Sequence, residues 1–77
     1  MNLRWLQWLG AAGGITGTVL IALNTAFSGW GFVLYLLSNA CWIRYGLATR
    51  AHGLALQHGV FTVVSLFGVW RWLLAPP

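Results

Sequence analysis

Three long apolar stretches, broken only twice and free of any aspartate or glutamate, restrict what this chain can fold into more than any other feature. The first runs from about Trp5 to Phe27, the second from about Trp30 to Leu47, and the third from about Gly53 to Ala75. At 1.5 Å of rise per residue, roughly 20 residues of α-helix cross a hydrocarbon core of about 30 Å, and each stretch is close to that length. Charged residues make up 5% of the 77, against about a quarter in a soluble domain, so this surface is not composed for water. The reading is an all-α membrane protein with three transmembrane helices in one triple-helix bundle, a single domain over residues 1–77. So short a chain buries little core alone, and pairing as a homodimer is expected.

The breaks are brief. "TAFSGWG" (25–31) is a tight turn with two glycines, and "ATRAHG" (48–53) holds Arg50 and His52. Pro76 and Pro77 cannot continue a helix and mark the expected stop. Arg4 followed by apolar residues also has the outline of a signal peptide. Gly10, Gly13, Gly14, Thr16, Gly17 and Thr18 interrupt that run, however, and it reads as a retained helix.

The basic residues are Arg4, Arg44, Arg50 and Arg71, a formal charge of +4. Scattered through an apolar chain they form no clustered basic face, which argues against a nucleic-acid partner. Their placement orients the helices instead. Arg4 and Arg50 fall on one side, with Arg44 one turn inside, and only Arg71 on the other. The positive-inside rule then puts the N-terminus in the cytoplasm, with a bacterial inner membrane the expected location. Cys41 stands alone, so no internal disulfide forms and it reads as a small apolar residue.

Each helix has a distinctive face. In "GAAGGITG" (10–17), Gly10, Gly13, Gly14 and Gly17 recur at i, i+3, i+4 and i+7, a small-residue face suited to close helix packing in lipid. Asn24 returns near the same face and either caps the helix or joins a polar path. On the second helix Tyr35, Ser38, Asn39 and Trp42 follow the same spacing, with Tyr45 or Gly46 next. Val33, Leu36, Leu37, Ala40 and Ile43 occupy the opposite face. An amide in hydrocarbon must be paired, so Asn39 meets another helix or water. One hydrogen bond would suffice as glue, and a stripe of phenol, hydroxyl, amide and indole exceeds that need. It reads as a solute-lining face, with helix packing alone as the alternative.

On the third helix His58, Thr62, Ser65, Val69 and Trp72 share a face, with Phe61 and Gly68 at its edge. An intramembrane histidine is functional by default. His58 is read as a neutral hydrogen-bonding group for a solute, a structural partner for Asn39, or a titrating relay. The candidate solute-binding set is therefore Trp42, His58, Asn39, Ser38, Tyr35 and Thr62. No metal or cofactor is expected, because His52 and His58 lack i, i+4 spacing and have no carboxylate or second cysteine to join. Catalysis is not expected either, since no acid orients the histidine toward a serine. The missing carboxylates also remove the usual carriers of proton-coupled transport, which favours facilitated diffusion. Trp5, Trp8, Trp70 and Trp72 sit near helix ends, where indoles anchor at the interface.

"CWIRYGLATRAHGLALQHGVF" (41–61) resembles the second and third helices of the SemiSWEET-type sugar half-transporters of the SWEET and PQ-loop superfamily. In that family a "lWlxYG" stretch precedes a helix carrying a pocket asparagine. Trp42 matches the pocket tryptophan, and His58 stands where the asparagine falls. The first helix lacks proline altogether, so the family's Pro-Gln motif is absent and Gly13–Gly14 stands in its place. "FGVWRWL" (67–73) and "SNACW" (38–42) are similar to the PnuC-type nicotinamide riboside transporters. The resemblance covers roughly residues 30 to 73. It implies that one bundle is half of a transporter and that two chains pack in parallel around a pocket. Trp42 would stack on a sugar or nicotinamide-riboside-like vitamin, Asn39 and His58 would hydrogen-bond it, and rocking would alternate access. Two other readings stand beside this one: a small holin-like pore, and an accessory subunit that binds a larger membrane protein through the glycine face.

Overall fold

The computed structural model describes residues 3–75, which form three α-helices joined by two tight turns, with no strand among them. Helix α1 spans Arg4–Leu23, α2 spans Gly29–Ala48 and α3 spans His52–Val69. A π-helical turn, Trp70–Leu74, continues α3. The expected stop at Pro76 and Pro77 lies outside the described residues. Ala75, just before them, is extended at φ −71° and ψ 143°, the conformation a following proline favours.

Helix α1 ends at Leu23 rather than at Phe27. The cause is Asn24, which adopts the left-handed conformation (φ 51°, ψ 50°) and sends its N–H back to the Ile21 carbonyl. Asparagine is one of the few residues that tolerate this geometry at a helix C-terminus. Asn24 is thus a cap. The turn beyond it is tied by buried Ser28, whose Oγ accepts from the Thr25 N–H at 2.8 Å and donates to the Leu20 carbonyl at 2.7 Å.

The second turn closes in Schellman fashion. The Ala51 N–H donates to the Gly46 carbonyl at 2.7 Å and the Arg50 N–H to the Leu47 carbonyl at 3.4 Å. Arg50 takes the left-handed position, φ 61°, where glycine is usual.

Glycines set how closely the helices approach. At the α1–α2 crossing, a Cβ on Gly17 would lie 2.8 Å from the Gly31 carbonyl oxygen, and one on Gly31 would lie 2.6 Å from that of Gly17. Gly10 and Gly13 meet Trp42 and Ser38 in the same interface. α1 runs helical through Gly13 and Gly14 without a break. Against α3, Gly68 leaves room for the Phe32 ring, and Gly29 leaves room for Trp72 and Leu73 of the π-turn.

The layer is open. α2 packs against both neighbours, but among the described residues no Cα of α1 comes within 8 Å of a Cα of α3. The chain measures 43 × 19 × 16 Å. Its burial is inverted relative to a water-soluble fold. Among the described residues the buried polar side chains are Ser28, Ser38, Asn39 and Ser65, and the buried apolar ones are Leu6 and Cys41. Trp8, Ile15, Phe27, Val63 and Phe67 stand exposed.

Two helices, Arg4–Leu23 and His52–Leu74, are long and apolar enough to cross a membrane. Helix α2, expected as the third, has the length without the apolarity. Ser38, Asn39, Arg44 and its tyrosines lower its hydropathy, and its polar stripe lies between the flanking helices.

Candidate functional site

Because α1 and α3 splay apart on α2, they leave a groove between them with a volume of about 460 Å³. Its floor comes from α2 through Phe32, Tyr35, Ser38, Asn39 and Trp42. One wall is the small-residue side of α1, from Gly10 to Thr18, and the other is His58, Phe61, Val64 and Ser65 of α3. The size falls within the ordinary range for small-molecule sites, roughly 300 to 1,000 Å³.

Polar groups in the groove pair across helices. Asn39, 4% exposed, meets His58 through Oδ1, 2.9 Å from the imidazole Nδ1. Its Nδ2 donates to Ser65 Oγ at 3.4 Å. Ser38 donates to the Gly10 carbonyl of α1 at 2.6 Å, tying the floor to the wall. Farther along, Thr18 donates to the Gly14 carbonyl at 2.8 Å. That bond engages its only hydroxyl hydrogen, so the 2.6 Å bond to Tyr35 is donated by the phenol. No buried side-chain polar atom lacks a partner among the described residues.

Aromatic rings complete the surface. Trp42 stacks on His58 with centroids 5.9 Å apart and planes 25° apart, while Tyr45 meets the indole edge-on at 5.8 Å. Phe61 lies edge-on to His58 at 5.3 Å. Trp42 also packs over Gly10, where a Cβ would come 2.7 Å from the indole Nε1. The indole therefore bridges α1 and α3 across the floor.

Five of the six residues singled out from the sequence, Tyr35, Ser38, Asn39, Trp42 and His58, line this groove. Thr62 is not among its lining residues, and its hydroxyl donates to the His58 carbonyl of its own helix at 2.8 Å. At 100° per residue Thr62 is turned about 40° from His58 to one side, whereas Ser65 and Phe61 turn to the other. The groove follows Phe61 and Ser65. Sequence reasoning missed Ala11, Ile15, Thr18, Phe32 and Val64. Thr18 carried a usable signal, since it follows Gly14 at i+4 near the glycine face. Gly10, Gly13 and Gly17 are buried against α2, and Gly14 faces Ser38 Oγ.

Comparison with protein-family models, with curated proteins and with solved structures gives no match to this chain.

Proposed function

We propose that this chain is a membrane-embedded facilitator that moves a small neutral polar solute down its gradient, working as a pair of identical chains. The carrying observation is the groove itself, a partly polar, aromatic-walled site in a molecule whose outward surface is apolar. Buried hydroxyl and amide groups beneath exposed Leu, Val, Phe and Trp are the distribution that lipid, as solvent, selects. The 43 Å length suits a bilayer with its headgroup regions, about 40 to 45 Å thick. Trp5 and Trp8 lie toward one end and Trp30, Trp70 and Trp72 toward the other, all exposed, as interfacial anchors would be.

The open layer supports pairing. A second copy laid face to face would close the gap between α1 and α3 and convert two grooves into one enclosed path. Rocking of one chain against the other would then expose the path to either side, in the manner of the SemiSWEET-type half-transporters that residues 41–61 resemble. The arginine distribution favours a cytoplasmic N-terminus, in a bacterial inner membrane. A sugar or a nicotinamide-riboside-like vitamin fits the size and polarity of the site. The reaction is transport and makes no use of a catalytic group.

Solute binding to purified protein tests this reading. Binding of a sugar or of nicotinamide riboside is expected to weaken about tenfold or more in Trp42→Ala and in His58→Ala, a change of about 1.4 kcal/mol or more. Equal binding by both variants and the wild type would place the solute elsewhere.

A further inference from the structure

The hydrogen-bond directions around His58 narrow what the groove can hold. Asn39 turns its amide oxygen toward the imidazole and its Nδ2 toward Ser65 Oγ. A carbonyl oxygen only accepts, so the ring nitrogen that meets it, Nδ1, carries the proton. In neutral imidazole the other nitrogen, Nε2, is then a bare acceptor. Among the described residues Nε2 has no hydrogen-bond partner, and it is not sealed in the interior. Among the neighbouring hydroxyls, Ser38 and Thr18 direct their hydrogens to backbone carbonyls and Tyr35 directs its own to Thr18, while Ser65, which accepts from Asn39, is the one whose hydrogen is uncommitted. Among the described residues no lysine or arginine lines the groove. The indole N–H of Trp42 lies at the opposite wall, over Gly10.

We propose that Asn39 fixes His58 as a hydrogen-bond acceptor, and that the solute is an uncharged ring compound presenting an N–H or O–H donor to His58 Nε2. This rests on the groove being a solute site, as proposed above. The lone pairs on Nε2 and the hydroxyl oxygens disfavour a carboxylate, and no basic side chain offers it a counter-charge. The rings of Trp42, Phe61, Phe32 and Tyr35 favour a flat body. Ser65 positions Asn39, and Asn39 positions the histidine; only His58 touches the solute's donor.

The test uses three probes on one benzoyl body: benzamide, which has amide donors, N,N-dimethylbenzamide, which has none, and benzoate, which is an anion. Full-length protein carrying nitrogen-labelled histidine is titrated in detergent micelles, with His52→Gln used to assign the His58 signals. Without a probe, nitrogen NMR is expected to find the proton on Nδ1. Benzamide is expected to shift the Nε2 signal, and to bind about tenfold more tightly than its dimethyl analogue, with benzoate weaker still. Asn39→Leu is expected to release the Nδ1 tautomer and reduce that preference.

A proton found on Nε2 in the wild type would overturn the inference whatever binds. Equal affinity for the two amides, with the His58 signals moving for both, would overturn donor recognition while leaving a solute groove in place. No binding of any probe, together with no solute uptake into liposomes, would remove both readings. Because the decisive comparison changes the probe and not the protein, misfolding of a variant cannot mimic the expected result.

Discussion

Asn39 is the residue on which the middle of the molecule turns. It is nearly fully buried, and both ends of its amide are engaged with α3 through His58 and Ser65. Asn39→Ala would leave Ser65 Oγ and His58 Nδ1 without this partner. Such bonds between membrane helices are worth about 0.6 to 2 kcal/mol, and a buried polar group left unpaired costs about 1 to 3 kcal/mol. The expected loss is about 1 to 2 kcal/mol, read from unfolding in mixed detergent micelles, with a smaller loss for Ser65→Ala. Much of this was legible in the sequence. Tyr35, Ser38, Asn39 and Trp42 fall on one helical face by spacing alone, and an intramembrane amide must find a partner. The partner of Tyr35 was not legible. Thr18 sits in a glycine-rich apolar run, and nothing local says that a phenol of the next helix will arrive 2.6 Å away. Only the crossing of the two helices decides that.

At the scale of the helix, glycines set how closely the helices pack. The chain holds ten glycines, and they divide sharply by what surrounds them. A Cβ on Gly17 would meet the Gly31 carbonyl and the Tyr35 ring, whereas one on Gly59 of α3 would meet nothing within 4 Å. Gly17→Ala is therefore expected to destabilise by about 1 to 3 kcal/mol, as overpacking does. Gly59→Ala is expected to stabilise by about 0.5 to 1 kcal/mol, because alanine loses less backbone freedom in a helix. Parallel unfolding curves for the two variants give the comparison, and the opposite signs are its content.

The existence and order of the helices were readable from the lengths of the apolar runs. Their ends were less so. Asn24 stops α1 four residues before Phe27; the sequence offered a cap as one of two readings of Asn24, and only the structure decides between them. The π-turn at Trp70–Leu74 depends on the space above Gly29, a contact between residues more than forty positions apart. The sequence pattern of either segment alone does not contain it.

The whole molecule is a layer of three helices with Ser28, Ser38, Asn39 and Ser65 buried inside and most of its bulky apolar side chains outside. Helix α2 is the least apolar of the three, and its buried Ser38 and Asn39 find their partners on the helices that flank it. That arrangement also explains why α1 and α3 alone are apolar enough by composition to span a membrane. The open face between them is what a second copy would cover. In detergent the chain, 8.5 kDa alone, is expected to run as a dimer once bound detergent is subtracted. Large rings would instead favour a pore, and a strict monomer would leave the groove open to lipid.

Uptake into sealed liposomes tests the central claim most directly. Purified protein is reconstituted, and a panel of neutral sugars and nicotinamide riboside is supplied outside without a proton or sodium gradient. The account predicts saturable uptake of at least one member, equilibrating without accumulation, and strongly reduced by Trp42→Ala. Leakage of every solute regardless of size, or no uptake of any, would contradict it.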